Sequence, residues 1–399
     1  MKKIKILFVI WALNTGGAEK SLINLLLNID KERYEIELLL FQKDSILLDK
    51  VPCNINIVET PKEVQFLNNR SIKKMIKNFN LKGLIYRLRY LLLYKNKAIS
   101  SYNKDQILWQ YVWSKCVLPI NRTYDVAVAY MHSIPSYYVI DKVEAKNKIL
   151  WVHHDYSKLN SDISFDFEYF KKANAVVTVS NTCRDILCKE FPKLKDKFRV
   201  LSNINSATSI KKLSSAFMPI EYLEAIQKEI PILISIGRLH EVKGFDLAVE
   251  AASILKEKGI FFKWYIIGDG ELKQNLLEKI TLNKLDKYVY LLGRRENPYP
   301  YIKYASIVIQ TSRNEGKSIV LDEAKILCKP IISTNYESVK DQIEVGVTGI
   351  LTNIAALDIS KSIELLIKNK YLQDKLVFNL KNSSFDTTNE IDKYYELFK

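Results

Sequence analysis

Short apolar runs rich in Ile and Val recur along this chain, and a longer amphipathic segment separates each run from the next. The runs are apolar at consecutive rather than alternate positions, which is typical of strands covered on both faces in a parallel sheet. The first half carries them at 4–10, 35–41, 55–58, 124–130, 148–152, 175–179 and 198–201. The second half carries them at 232–237, 263–268, 288–293, 306–312, 330–335 and 349–352. The pattern predicts an α/β protein with helices on both sides of its parallel sheets.

The alternation stops once, over a serine-rich stretch, and then starts again. The chain has 399 residues, more than the roughly 250–300 that one hydrophobic core usually serves. We therefore predict two Rossmann-like, doubly wound domains, the first over 1–205 and the second over 230–385, with 206–229 as the linker. We expect the last helix, over 386–399, to pack back on the first domain. Ligands of such sheets bind beyond the carboxyl ends of the strands.

The cysteines and the N-terminus predict a cytoplasmic protein. The five cysteines are scattered and include no CxxC pair, which is typical of reduced thiols rather than of a zinc site or a disulfide framework. The first apolar run leads into Asn14-Thr15-Gly16-Gly17 and not into a small-residue cleavage site, so we interpret it as a buried strand rather than a signal peptide. The sequence contains no apolar run of the roughly 18 residues that a spanning helix needs.

Positive charge is concentrated in one part of the chain, which has a formal net charge of +15. The segment 64–104 has no acidic residue and ten cations, interleaved with leucines and tyrosines. Such a mixture can lie on an anionic membrane, with apolar residues inserted and lysines reaching the headgroups. Nucleic acid is a rival polyanion, and the simplest alternative is a solvated basic helix pair whose leucines face the core. We predict that 64–104 docks the protein on the inner face of the plasma membrane, and we expect no nucleic-acid partner.

A turn after the run at 232–237 carries two cations close together. It contains Gly237-Arg238-Leu239 and, a few residues on, Lys243-Gly244, and a helix is expected to follow. Glycines at a strand–helix turn let the backbone approach a ligand, and a helix N-terminus attracts anions. An arginine fork and a lysine point charge together suit a diphosphate, although a surface turn with incidental charges has the same residues.

A second turn places two glutamates eight residues apart, Glu315 and Glu323, around the start of a predicted helix. Eight helical positions span about 12 Å, comparable to the distance from the hexose to the ribose of a nucleotide sugar. Between the glutamates, backbone N–H groups near Lys317, Ser318 and Ile319 are candidates to bind phosphate oxygens. Taken singly, Glu315 can be explained as a charge at a helix N-terminus and Glu323 as part of a solvated face.

Together these elements resemble glycosyltransferase family 4, whose members have the GT-B fold and retain the anomeric configuration. Gly16-Gly17-Ala18-Glu19-Lys20 is similar to the family's N-terminal glycine loop, and Trp151-Val152-His153-His154-Asp155 to its apolar–His–x–Asp segment. Gly268-Asp269-Gly270 resembles its second-domain turn, and Glu315 to Glu323 its E-x7-E signature. The resemblance covers nearly the whole chain and implies two Rossmann-like domains that face each other across a cleft.

The resemblance also implies a role for each matching residue. Arg238 and Lys243 would hold the donor diphosphate, and Glu315 would orient the hydroxyls of the donor sugar. Glu323 would bind the ribose, and His153 would contact the other side of the sugar. The remaining donor contacts would come from Gly16, Gly17, Gly316, Lys317, Ser318 and Ile319. Lys317 departs from the phenylalanine that many relatives carry, which makes its surroundings more cationic and leaves the sugar specificity open.

The function implied is that of a hexosyltransferase in polysaccharide biosynthesis, with a nucleotide sugar (UDP-linked as the first expectation) as donor and a glycan, expected to be lipid-linked, as acceptor. No cofactor or metal is expected, because the chain has no DxD motif and two cations already serve the diphosphate. Two alternatives remain open, a GT-B sugar-nucleotide epimerase and a catalytically silent partner subunit. A nicotinamide dehydrogenase is poorly supported, since Gly268-x-Gly270 is followed by Lys273 instead of glycine.

Overall fold

The structure, a computed structural model, describes residues 2–14, 16–68, 81–95 and 101–399. The chain forms two units. The first unit contains Met1–Ser202 together with Glu390–Lys399, and the second contains Asn203–Asn389. Among the helices in these described ranges, none is long and apolar enough to cross a bilayer.

The first unit is built on a seven-stranded parallel sheet in the order β3-β2-β1-β4-β5-β6-β7. Its strands are β1 (Ile4–Ile10), β2 (Tyr34–Leu40), β3 (Asn56–Val58), β4 (Thr123–Ala129), β5 (Glu144–Val152), β6 (Ala175–Thr178) and β7 (Phe198–Val200). Because the strand order reverses between β1 and β4, the crevice of this sheet lies at the carboxyl ends of those two strands.

Helices cover the sheet of the first unit and bury its apolar strands. They span Gly17–Asn28, Lys62–Asn68, Leu81–Lys95, Ser101–Leu108, Ile134–Lys142, Ile163–Lys172, Asn181–Glu190 and Ile391–Leu397. Shorter helical turns span Leu48–Lys50, Trp109–Trp113, Ser114–Cys116, Tyr156–Lys158 and Pro192–Lys197. Within the strands, residues such as Leu7, Val128 and Leu150 are fully buried, as expected for a sheet that is covered on both faces.

The second unit has a six-stranded parallel sheet in the order β10-β9-β8-β11-β12-β13. Its strands are β8 (Ile232–Ile236), β9 (Lys263–Ile267), β10 (Val289–Gly293), β11 (Ile307–Gln310), β12 (Ile331–Thr334) and β13 (Ile350–Thr352). Its helices span Ala207–Ser214, Leu223–Gln227, Phe245–Glu257, Lys273–Leu282, Tyr299–Tyr304, Ile319–Ile326, Ala356–Lys368 and Lys370–Lys381, with short turns at Ile220–Tyr222, Glu241–Lys243, Glu337–Asp341 and Thr388–Glu390. The order reverses between β8 and β11, which defines the crevice of this sheet.

The prediction of a linker over 206–229 is wrong, because most of this stretch is helical and all of it belongs to the second unit. Ser206, interpreted as part of a loop, caps the helix Ala207–Ser214 by accepting a hydrogen bond from the backbone N–H of Ser209 at 3.2 Å. Tyr222 is fully buried, and its ring centroid lies 4.5 Å from that of Tyr265 on β9. Of the serines that resembled a loop, Ser206 is therefore the helix cap, Ser209 lies on the exposed side of the helix, and Ser214 lies on its buried side.

The end of the chain returns to the first unit, but from Glu390 rather than from residue 386. Tyr394 is buried there, with its ring centroid 5.7 Å from that of Trp151 and its hydroxyl donating to the carbonyl of Ser202 at 2.8 Å. Residues 386–389 stay with the second unit, where the Thr387 hydroxyl donates to the carbonyl of Asn203 at 2.8 Å.

The buried Tyr394 predicts that the last ten residues stabilise the first unit. We expect Tyr394→Ala to lower its free energy of unfolding by about 3–5 kcal/mol, the usual cost of emptying an aromatic core position. Hydrogen exchange read by mass spectrometry should show faster exchange in peptides of β1, β4 and β5, while peptides of β8 and β11 serve as an internal reference. Tyr371→Ala is the matched control, since that side chain is 78% exposed. Unchanged exchange in the Tyr394→Ala variant would contradict the packing.

Candidate functional site

Two loops of the second unit that are about 70 residues apart in sequence lie side by side at its crevice. The loop at 237–244 follows β8, and the loop at 311–318 follows β11, the two strands between which the order reverses. The Thr311 hydroxyl donates to the carbonyl of Lys243 at 2.9 Å, and the backbone N–H of Arg313 donates to the carbonyl of Val242 at 2.7 Å. The structure thus brings together the two turns that the sequence singled out.

Two glycines make this close packing of backbones possible. Gly244 has φ of +63°, and a Cβ on it would collide with the carbonyl oxygen of Thr311. Gly268, in the loop after β9, has φ of +152°, and a Cβ there would collide with the carbonyl oxygen of Gly237. A side chain at either position would force the loops apart, so both glycines are required by the shape of the site.

The centre of the site is an ion pair between Lys243 and Glu315, whose ammonium and carboxylate groups are in direct hydrogen-bond contact. The same carboxylate oxygen accepts a hydrogen bond from the Ser312 hydroxyl at 2.8 Å and lies 3.4 Å from the side-chain amide nitrogen of Gln310. The backbone of Glu315 is also held, because its carbonyl accepts from the Ser338 hydroxyl at 2.7 Å. Glu315 is therefore fixed in place by hydrogen bonds from two strand ends, after β11 and after β12.

The two arginines of these loops have different environments. Arg238 is exposed, and within the described part of the chain it forms no ion pair. Arg313 instead makes a two-pronged ion pair with Asp246, at 2.9 and 2.6 Å, and donates to the carbonyl of Glu241 at 2.7 Å. Arg313 thus fastens one loop to the other, while Arg238 keeps its charge available for an anion.

Ser318 does not have the role that the sequence predicted for its backbone. Its N–H donates to the side-chain oxygen of Gln342 at 2.7 Å, and its carbonyl accepts from the side-chain nitrogen of the same Gln342 at 2.8 Å. Its hydroxyl donates to Gln310 at 2.6 Å. The prediction that the Ser318 N–H is free for a phosphate is therefore wrong, because Gln342 occupies it. Ser318 and Gln342 together fix the entry to the helix Ile319–Ile326.

Lys317 is less of a free cation than the sequence predicted. Its ammonium lies 3.8 Å from the carboxylate of buried Asp322, which also contacts the ammonium of Lys325 at 2.9 Å. Although burial raises it, the pKa of Asp322 is held below its usual value by Lys325 and Lys317. The carboxylate therefore stays charged and offsets part of the positive charge that Lys317 brings.

Glu323 does not lie on a solvated helix face, since it is only 1% exposed. It is hydrogen bonded to Tyr299, and the pKa of that hydroxyl is raised, first by burial and then by the charge of Glu323. Ile319, at the first position of the helix, is buried as well, whereas Gly316 lies in the preceding loop. Of the residues predicted around this turn, Glu315 and Glu323 are thus held by side-chain partners and Ile319 packs into the core.

The first unit places its predicted residues at strand ends. Gly16 and Gly17 follow β1 at the start of the helix Gly17–Asn28, and the carboxylate of Glu19 lies over Gly16. His153 follows β5 and is buried, with Nε2 3.1 Å from the carbonyl oxygen of Tyr130, so this nitrogen carries a proton. Burial, with a smaller effect of His154, lowers the pKa of His153 to about 3. The imidazole is therefore neutral at pH 7.

Sequence reasoning missed a second buried imidazole, His132, in the loop after β4. Its Nε2 lies 3.2 Å from Asp166, which also accepts hydrogen bonds from the hydroxyls of Tyr137 at 2.7 Å and Tyr156 at 2.6 Å. Burial raises the pKa of Asp166, but His132 and the two hydroxyls outweigh it and hold the pKa below its usual value. A lone histidine after an apolar run gave no signal of this network, which joins the loop to the helix Ile163–Lys172.

Residues 223–383 match the family model for glycosyl transferases group 1. An uncharacterized glycosyltransferase of Methanocaldococcus jannaschii is 32% identical over 200 residues, which is 48% of this chain and 48% of that protein, so the match spans about half of each. The N-acetylgalactosamine-N,N'-diacetylbacillosaminyl-diphospho-undecaprenol 4-alpha-N-acetylgalactosaminyltransferase of Campylobacter jejuni is 26% identical over 330 residues, covering 82% of this chain and 80% of its own length.

The solved structures that are similar to this chain have the GT-B fold. The HepE structure from Anabaena in complex with UDP and glucose has a TM-score of 0.70 and 16% identity, and the match covers 98% of each chain. The expected fold class is thus confirmed as an α/β fold of two doubly wound units like those of GT-B glycosyltransferases. The glycosyl transferase group 1 match falls on the unit that carries Lys243, Glu315 and Arg238.

Proposed function

We propose that this protein is a retaining glycosyltransferase that moves a hexose-type sugar from a nucleoside diphosphate, UDP first, to a lipid-linked glycan in polysaccharide biosynthesis. The observation that carries the proposal is the Lys243–Glu315 pair at the crevice of the second unit, with exposed Arg238 in the same loop as Lys243. The relatives support it, since one of them is named for a transfer onto a diphospho-undecaprenol glycan and a structure with the same fold holds UDP and glucose.

The two cations suit the diphosphate of such a donor. Arg238 is exposed and carries a guanidinium that can bind two phosphate oxygens at once. Lys243 supplies a compact charge on the same loop, held by the contacts of its carbonyl to Thr311 and of its N–H to the carbonyl of His240 at 2.9 Å. Because the backbone of this loop is fixed before the donor arrives, little reorganisation is needed to place both charges.

Donor binding in this proposal exchanges one ion pair for two new contacts. Without donor, Lys243 and Glu315 neutralise each other. When the donor binds, the Lys243 ammonium turns to a phosphate oxygen, and the Glu315 carboxylate accepts a hydrogen bond from a sugar hydroxyl. Neither group is left without a partner, since Ser312 still donates to Glu315. A charge that keeps a partner at every stage avoids the cost of burying it alone.

The chemical step separates charge, and the site is arranged to stabilise it. As the bond from the anomeric carbon to the diphosphate oxygen breaks, the sugar gains oxocarbenium character and the diphosphate gains negative charge. Lys243 and Arg238 face that negative charge, and a well-placed donor of this kind is worth about 3–4 kcal/mol in the transition state. Retention follows if the acceptor hydroxyl attacks from the side that the diphosphate leaves and gives its proton to a departing phosphate oxygen.

The other residues keep supporting roles in the proposal. Glu323, oriented by Tyr299, is assigned to the ribose, and Gly16, Gly17, Gly316 and Lys317 to the surroundings of the donor. His153 is assigned a hydrogen bond to a sugar hydroxyl, which a neutral imidazole can make, rather than a proton transfer. Ser318 and Ile319 hold the helix that carries Glu323.

The two alternative functions, a sugar-nucleotide epimerase and a silent partner subunit, differ from a glycosyltransferase in the products that they release. An epimerase would return a nucleotide sugar with an altered sugar and release no free nucleoside diphosphate over time. A silent partner subunit would bind no donor, yet the ion pair and the exposed arginine at the crevice are the groups that a donor needs. Release of nucleoside diphosphate that depends on an acceptor distinguishes transfer from both.

The exchange of partners predicts opposite effects of two substitutions on nucleotide binding. Glu315→Gln removes a charge that competes for Lys243, so we expect UDP to bind at least as tightly as to wild type. Lys243→Ala removes a phosphate ligand and should weaken UDP binding. Both should lower transfer at saturating donor by at least about a hundredfold, the typical effect of losing a group at the developing charge. Calorimetry and a transfer assay measure the two quantities.

The matched control for these variants is Glu241→Gln, an exposed carboxylate in the same loop as Lys243. It should leave UDP binding and transfer close to those of wild type. If Glu315→Gln transfers sugar at the wild-type rate, the assignment of Glu315 to the donor sugar is wrong. If Lys243→Ala binds UDP as tightly as wild type does, the assignment of Lys243 to the diphosphate is wrong.

We also predict that transfer needs no divalent metal. The described residues contain no group of three or more His, Cys, Asp or Glu side chains that could hold a metal ion, and Arg238 and Lys243 already provide the positive charge for the diphosphate. The measurement is the rate of transfer in excess chelator, compared with added magnesium or manganese. Full activity in chelator is expected. Complete loss that either metal restores would contradict the assignment of the two cations.

A further inference from the structure

Only one face of the helix Leu81–Lys95 packs against the core of the first unit. Tyr86, Tyr90 and Leu93 pack against the core of that unit, and the ring centroid of Tyr90 lies 6.3 Å from that of Trp113. Arg87 is only 8% exposed, with its guanidinium carbon 5.1 Å from the centre of the Tyr90 ring. Arg87 is one of the ten cations of 64–104, for which the sequence predicted contact with a membrane, but the structure places it on this inner face.

The opposite face of the same helix is apolar and exposed. Ile85, Leu88 and Leu92 are 50%, 60% and 66% exposed. With about 3.6 residues per turn, these three side chains fall within about 60° of one another around the helix axis. Leucines that served only to hold the helix on the core would point inward, as Leu93 does. The solvated-pair alternative does not account for this stripe.

Cations lie on both sides of the stripe. Arg89 and Lys95 are exposed, and around the axis they fall about 40° beyond Ile85 on one side and about 20° beyond Leu88 on the other. The helix contains no acidic residue. Tyr111 is also exposed, in the turn whose Trp113 packs against Tyr90. Of the ten cations in 64–104, Arg70, Lys73, Lys74, Lys77 and Lys97 lie outside the described residues.

We propose that the exposed face of Leu81–Lys95 inserts Ile85, Leu88 and Leu92 among the headgroups of an anionic membrane, with Arg89 and Lys95 bound to lipid phosphates. An apolar stripe flanked by long cationic side chains matches the depth profile of a membrane interface, where acyl chains lie below the headgroups. A nucleic acid would be met by cations at the centre of the contact, not by aliphatic side chains. The inference rests on the proposed function in one respect, that a lipid-linked acceptor gives the docking its use.

The experiment is co-sedimentation of the full-length chain with vesicles of phosphatidylglycerol and phosphatidylcholine, compared with pure phosphatidylcholine. We expect binding that needs the anionic lipid and weakens as salt is raised. The double variant Leu88→Ser, Leu92→Ser should lower the bound fraction at least about tenfold, since apolar insertion and charge attraction act together. Arg89→Glu with Lys95→Glu should lower it similarly and remove the salt dependence.

Matched controls come from exposed positions of the second unit. Leu277→Ser with Leu282→Ser removes exposed leucines from the helix Lys273–Leu282, and Lys370→Glu with Lys375→Glu reverses two exposed lysines. Both controls should bind vesicles like wild type. All four variants change exposed side chains, so their melting temperatures should stay near that of wild type, and their release of UDP from donor in detergent-free buffer should be unchanged.

Three results would overturn the inference. If wild-type protein stays in the supernatant with anionic vesicles at low salt, the protein has no membrane-binding surface. If the Leu88→Ser, Leu92→Ser variant binds vesicles as well as wild type does, the exposed face of Leu81–Lys95 is not the binding surface. A wild-type dimer in size-exclusion chromatography that this variant converts to monomer makes the stripe a contact between copies. Failure of the proposed transferase activity is seen separately, as absence of donor turnover in solution while vesicle binding persists.

Discussion

The ion pair between Lys243 and Glu315 is the interaction on which the site depends. It joins the loop after β8 to the loop after β11 at the point where the strand order reverses, and Ser312 and Gln310 hold the carboxylate from the strand side. The lysine and the glutamate offset each other's charge in direct contact, and in the proposed function both exchange this contact for the phosphates and hydroxyls of a donor. In the free protein, the carboxylate of Glu315 offsets the positive charge of Lys243, as the phosphate of a donor does in the proposed function.

The backbone around the pair is built to hold it. Gly244 and Gly268 let three loops pass within contact distance, and Arg313 ties the loop after β11 to Asp246 in the helix that follows Lys243. On the other side of Glu315, the side-chain amide of Gln342 is hydrogen bonded to both the N–H and the carbonyl of Ser318. These contacts fix the backbone segments that carry Lys243 and Glu315, and electrostatic stabilisation of a transition state requires groups that are held in place in this way.

Much of the fold could be predicted from the sequence, because buried parallel strands are contiguous apolar runs and every strand of both sheets falls on a predicted run within a few residues. The two loops of the site could be found from their glycines and charges. What failed depends on tertiary contacts between distant side chains. Gln342 carries no signal that it caps Ser318, and Tyr299 none that it binds Glu323. The serines of 206–229 resembled a loop because capping residues and loop residues are chemically the same.

The most direct test of the central claim is to incubate the protein with a panel of nucleotide sugars, with and without a lipid-linked glycan, and to follow the release of nucleoside diphosphate by mass spectrometry. The account predicts that at least one diphosphate sugar is cleaved, that the glycan accelerates this cleavage, and that Arg238→Ala and Lys243→Ala each suppress it strongly. Cleavage that persists undiminished in both variants would show that the diphosphate binds elsewhere. A panel in which no nucleotide sugar is bound or cleaved would contradict the assignment of this site altogether.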